Sequence, residues 1–341
     1  AGATSCDICG KGLYANSDHT QCKTCGAGKY NDQNIQDSED SCTNCLAGRY
    51  SSATGVVSEA GCNDCSPGKY STTNDGNSVE TKCQECAVDT YSTEQRRVTA
   101  CEDCGVGKHT NNQTGATTCQ ACPAGQKQTE TDGLRVCTTC SAGSISSAGV
   151  QSCSICGKGL YANSEKTQCT TCGAGKYNDQ NSQNSVTSCK NCLAGRYSSA
   201  TGVVSVDGCN DCSPGKYSTT NAGNNVETKC KECAVDTYST QERRVTACGN
   251  CDDGKHTNTE TGATTCEACA AGEKQIVGTD GLRVCEDCPA GRISSVGVTS
   301  CDICGKGLYA NAATKATSCI SCDAGKYNDQ NSQNSVTSCK N

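Results

Sequence analysis

The stretch CKTCGAGKYNDQNIQDSEDSCTNC, residues 22–45, holds two C-x-x-C pairs, and Gly28 and Tyr30 stand three and five residues after Cys25, the second cysteine of the first pair. Positions are counted below from the second cysteine of a pair. All 12 tyrosines of the 341-residue chain fall at position +5. Eighteen such pairs and the unpartnered Cys339 account for all 37 cysteines, so the chain is a tandem array of one small cysteine-framed module.

Steps between pair starts run 16, 20, 20, 21, 18, 18, 18, 16 and then 16, 20, 20, 21, 18, 18, 19, 16. Eight modules therefore form a larger copy of 147 or 148 residues, with Cys6, Cys153 and Cys301 in equivalent places. The division expected is a first array over 1–152, a second over 153–300 and the start of a third over 301–341. CGKGLYAN recurs at 9–16, 156–163 and 304–311. The opening Ala1 to Cys6 resembles Ala148 to Cys153, and the chain stops one residue before the next expected cysteine; a segment of a longer repetitive polypeptide is the expectation.

Composition excludes an ordinary globular core. There is no Phe, Trp or Met, and mean hydropathy is −0.58. Ordering each residue costs about 1 to 2 kcal/mol of backbone entropy, and cysteine is the one residue abundant enough to offset it, as in secreted disulfide scaffolds. A net charge of −7 without long charged runs gives no nucleic-acid footprint and no polybasic membrane patch. No apolar run approaches the roughly 20 residues of a membrane span. The expected location is extracellular, secreted or at a cell surface.

Position +3 is Gly in seven modules of the first copy (Gly12, Gly28, Gly48, Gly68, Gly107, Gly125, Gly143) and Asp89 in the fifth, with Asp236 in the second copy. Gly with occasional Asp marks a turn residue at positive φ. The Tyr two residues on is expected to lay its ring over the disulfide and the neighbouring turn.

Cysteine counts leave connectivity open. Bonding within each C-x-x-C would leave the modules unlinked. Bonding the second cysteine of one pair to the first of the next closes loops near 15 residues, each worth about 3 kcal/mol in the chain-entropy model. In the first copy this ladder reads Cys9–Cys22, Cys25–Cys42, Cys45–Cys62, Cys65–Cys83, Cys86–Cys101, Cys104–Cys119, Cys122–Cys137 and Cys140–Cys153. It continues as Cys156–Cys169, Cys172–Cys189, Cys192–Cys209, Cys212–Cys230, Cys233–Cys248, Cys251–Cys266, Cys269–Cys285 and Cys288–Cys301, and ends with Cys304–Cys319 and Cys322–Cys339. Only Cys6 is left over, for a cysteine upstream. Four-thiolate zinc sites are the alternative, but near-equal spacing gives no grouping into fours and the Gly-x-Tyr signature has no role there. A thioredoxin-type motif would need one pair at a helix start, not eighteen in loop-rich sequence.

CLAGRYSSATG at 45–55, CSPGKYSTT at 65–73 and CGAGKYND at 25–32 resemble the ephrin-receptor-like cysteine-rich repeat, and are similar to the first sub-module of tumour necrosis factor receptor cysteine-rich domains. The resemblance runs the length of the chain. It implies β-turns and short β-hairpins, each pinned by one disulfide and stacked as an elongated, solenoid-like rod with little helix and no large hydrophobic core.

No catalytic constellation emerges, and neither enzymatic activity nor a cofactor is expected. His19, His109 and His256 read as surface or disulfide-covering residues. Asn31-Asp32-Gln33-Asn34, recurring at 178 and 328, lacks the closing Glu of a calcium loop and reads as an Asx turn. Asn112-Gln113-Thr114 is a glycosylation sequon that is lost in the second copy, whose Asn258-Thr259-Glu260 does not qualify. Ser- and Thr-rich loop tips are candidates for further glycans.

Near-identical long copies favour a structural role: a fibre, appendage shaft or surface coat built by self-association. A stalk of a receptor or adhesin, or a protozoan-type variant surface protein presenting a binding domain elsewhere, is the other class. Position +5 departs from Tyr in the last three modules of each copy: His109, Lys127, Ile145 and His256, Lys274, Ile293. These six are the candidate contact surface between chains.

Overall fold

The computed structural model describes residues 7–341; Cys6, the expected leftover cysteine, lies outside the described residues. Each module but the last, where only a Tyr327–Lys340 bridge forms, is one β-hairpin. After Cys25 the chain turns, with the Lys29 amide donating to the Gly26 carbonyl at 3.2 Å. Strand Lys29–Tyr30 then leads into a loop and returns as Thr43–Asn44, the two residues inside the next C-x-x-C. Lys29 faces Asn44 and Tyr30 faces Thr43, and the Cys45 amide extends the ladder to the Gly28 carbonyl at 2.8 Å. Seventeen such two-stranded sheets occur among the described residues. Several loops tighten into a single 3-10 turn before the next cysteine, as at Glu39–Ser41, where the Ser38 hydroxyl accepts from the Asp40 amide.

Eighteen disulfides close these hairpins, from Cys9–Cys22 to Cys322–Cys339, at sequence separations of 13 to 18. Every described cysteine is in one of them, so no thiolate remains to hold zinc in the four-sulfur manner.

Glycine at position +3 does two things. Gly28 has φ +83, the left-handed turn that L side chains resist, and its amide donates to the carbonyl of Ser51, position +6 of the next module, at 2.8 Å. A Cβ on Gly28 would lie 2.1 Å from the carbonyl oxygen of Gly76, in the loop of the module two further on. The same contact joins Gly12 to Gly55, Gly48 to Arg96, Gly68 to Gly115 and, in the second copy, Gly175 to Gly223 and Gly215 to Gly262. Most modules thus lock to the next by a hydrogen bond from position +3 and to the one after by close packing; in the fifth module the Asp89 amide donates instead to the Thr110 hydroxyl at 2.9 Å.

The buried position between modules is +6. Asn31, Ser51, Ser92, Asn178 and Ser198 are 1–2% exposed. Most tyrosines at +5 are half-buried instead, and at Tyr177, which is buried, the ring covers a disulfide other than its own module's. Tyr177 packs on Cys192 and Cys209, the disulfide of the following module, with Val203 and Val206. Strand alternation explains this: successive side chains point to opposite faces, so the +5 ring is sent towards the next module. Tyr327, in the last described module, is 54% exposed.

The fifth module departs from glycine for a visible reason. Two modules on from Asp89 the usual loop is replaced by a long hairpin, Gln126–Thr131 with Leu134–Thr139. Asp89, at φ 62, fills the gap with its carboxylate, accepting from the Thr110 amide at 3.0 Å and the Arg135 amide at 2.8 Å. Asp236 repeats this with the Thr257 and Arg283 amides beneath hairpin Glu273–Val277 and Arg283–Asp287. In that same long hairpin the Gln128 side chain, not a carbonyl, accepts from the Gly107 amide at 2.6 Å.

The described chain divides into two compact units; one ends at Cys156 and adds Ala162–Cys169, the other comprises Gly157–Tyr161 and Thr170–Asn341.

Two substitutions test this packing. Gly28→Ala should destabilise its module by about 1 to 2 kcal/mol from the left-handed backbone alone, with the Gly76 contact adding to it; Gly26→Ala, with nothing within 4 Å, should be silent in the same denaturant titration. Asp89→Asn should speed hydrogen exchange at the Arg135 amide, at a cost of about 1 to 3 kcal/mol; an unchanged rate would mean that the carboxylate bond is dispensable.

Candidate functional site

The features that break the uniform array are the two long hairpins, one per copy, each with a cleft at its foot. In the first copy a cleft of about 520 Å³ opens between the His109 hairpin and the long hairpin, bordered by Asn112, Gln120, Pro123, Gln126, Leu134 and Val136. The second copy has an equivalent cleft of about 400 Å³ bordered by His256, Thr259, Glu267, Ala270, Glu273 and Val284.

A histidine sits against the disulfide in both. Ring nitrogen of His109 and the sulfurs of Cys122 and Cys137 lie within 4.8 Å of one another, as do those of His256, Cys269 and Cys285. The sulfurs are bonded to each other, at 1.99 Å and 2.00 Å, and are not thiolate ligands. The histidine therefore caps the next module's disulfide, where Tyr177 stands in its own module. Its Nδ1 accepts from a turn amide two residues on, Asn111 at 3.0 Å and Asn258 at 2.9 Å, which orients the ring.

The other non-Tyr residues at +5 are spread along their modules. Ile293 packs against the cluster of Cys304, Ala310 and Ala316. Ile145 pairs with Ser154, Lys127 with Thr138 and Lys274 with Glu286, whose carboxylate is 3.2 Å from the Lys274 ammonium. All six are half-buried. His19 is exposed in a turn at φ 53.

Asn31 forms an Asx turn: its Oδ1 accepts from the Gln33 amide at 3.0 Å while its Nδ2 donates to the Leu13 carbonyl at 2.8 Å. Asn178 and Asn328 do the same. The two clefts differ in charge. Glu273 is hydrogen-bonded by the Lys315 ammonium at 2.7 Å, which holds its carboxyl below the usual carboxylate range. The first cleft has Gln126 in that place.

The long hairpins were legible in principle. Asp132-Gly133 between strand-forming runs is a two-residue hairpin signal, masked by the overall repeat. No helix among the described residues is long and apolar enough to cross a membrane. Compared with models of protein families and with curated proteins, the chain matches none.

A reductant without chelator should abolish hydrogen-exchange protection across every module, and a chelator without reductant should leave it unchanged. The reverse result would require metal-bound thiolates in solution.

Proposed function

We propose that the chain is part of an extracellular structural polypeptide that builds a fibre, appendage shaft or surface coat, without enzymatic activity. The observation that carries this reading is the two-step interlock, in which position +3 engages the next module and the one after it in both copies. Such an array extends by adding modules and needs no central core. The sulfur of every described cysteine is committed to a disulfide, and disulfides persist in oxidising surroundings.

The repeat period bears on assembly. Equivalent surfaces recur every 147 or 148 residues, so chains side by side can make one set of contacts again and again. The resemblance to ephrin-receptor-like repeats supports an extracellular setting and adds no ligand.

Electron microscopy of the native material, with non-reducing mass spectrometry of its disulfides, tests this. The expected outcome is a filament or sheet whose axial period corresponds to the eight-module copy. Dispersed single chains, or an axial period unrelated to the copy, would overturn the assembly reading.

A further inference from the structure

The first cleft contains the Asn of the sequon. Asn112 borders it, is exposed, and among the described residues its side-chain amide has no hydrogen-bond partner. The near-identical second copy provides an internal comparison. Thr114, the third residue of the sequon, donates to Glu85 at 2.7 Å, and its counterpart Thr261 donates to Glu232 at 2.8 Å, so this Thr has a structural role in both copies. Asn112 has no such role. It sits at φ 61, and Thr259 holds the equivalent turn at φ 64, although a β-branched residue is disfavoured there.

The walls of the cleft change together with the sequon. Gln120 and Gln126 become Glu267 and Glu273, and Pro123 becomes Ala270, where Asn112 becomes Thr259. A glutamine amide both donates and accepts, which suits the hydroxyl and acetamido groups of a sugar; a carboxylate only accepts and resists being covered. Leu134, Val136 and Pro123 supply apolar surface for the C–H face of a sugar ring.

We infer that Asn112 carries an N-linked glycan whose first sugars lie in the cleft between the His109 hairpin and the long hairpin, once in the first copy and not in the second. In the attachment step the Asn112 Nδ2 forms a bond to the anomeric carbon of an oligosaccharide supplied as a polyprenyl diphosphate. The anomeric C–O bond breaks, the diphosphate leaves, and one amide proton is released. The inference rests on the extracellular reading, and the two fail separately: a secreted, fully disulfide-bonded chain bare at Asn112 overturns the site alone.

The test is the full chain secreted from a eukaryotic host, analysed by glycopeptide mass spectrometry and by the rate of enzymatic glycan release. A glycan at Asn112 released about tenfold more slowly from the native chain than from the reduced, denatured one is expected, the factor a modest seat confers. Gln120→Glu with Gln126→Glu, residues the second copy already tolerates, should keep occupancy and abolish the protection. Thr259→Asn should create an occupied second site released at the denatured rate. A bare Asn112, equal native and denatured rates, or protection that survives the Gln→Glu pair would each overturn the inference.

Discussion

The structure depends on one recurring contact, the amide of position +3 donating to position +6 of the following module, to its carbonyl in most modules and to a Thr or Gln side chain from the fifth and sixth. For this bond to form, residue +3 must hold positive φ, and for the array to continue it must present no Cβ to the loop two modules ahead. Glycine meets both demands at once. At Gly28 the neighbouring oxygen lies 2.1 Å from where a Cβ would stand, closer than any side chain permits. The bond is also buried, where an unpaired amide or carbonyl would be costly. That cost is what holds consecutive hairpins in one relative position.

The disulfides act at a different level. Each closes a hairpin whose strands are two residues long, too short to persist in water without covalent help. They restrict the unfolded chain within a module, whereas the +3 to +6 bond orders one module against another. Tyr177 connects the two levels, because its ring covers the next module's disulfide and shields that sulfur pair from solvent. His109 and Ile293 stand over the following disulfide in the same way. What position +5 requires is a side chain broad enough to cover two sulfurs, and aromaticity is one way to meet it.

Cysteine and glycine were legible in the sequence because their constraints are local and few residues satisfy them. A disulfide needs Cys, and left-handed backbone in tight contact needs Gly. Position +6 was not legible. At Asn31, Ser51 and most of their counterparts its carbonyl does the bonding, so the side chain leaves no signature beyond modest size, whereas at Thr110 and Gln128 the side chain itself accepts. The positive φ of Asp89 is legible from its place at +3, but its carboxylate's partner is the Arg135 amide, 46 residues away. No local pattern announces such a bond. The target of the Tyr177 ring is hidden for a related reason: spacing from one cysteine points to that cysteine's disulfide, while strand alternation sends the ring onward.

The exceptions to the repeat explain one another. A long hairpin in the seventh module of a copy removes the loop that would otherwise press on position +3 of the fifth. The space released is taken by a carboxylate that reaches the hairpin's own backbone, and Asp replaces Gly there in both copies. The same hairpin shifts position +6 so that a glutamine side chain supplies the acceptor its carbonyl no longer offers, Gln128 in one copy and Gln275 in the other. One local insertion thus carries two compensating changes, one of them at residue 89, two modules upstream of the hairpin. The cleft at the hairpin's foot is the space this rearrangement leaves. Its charge can therefore differ between copies without disturbing the bonds that hold the array, because Gln120 and Gln126 border the cleft while Asp89 and Gln128 carry those bonds.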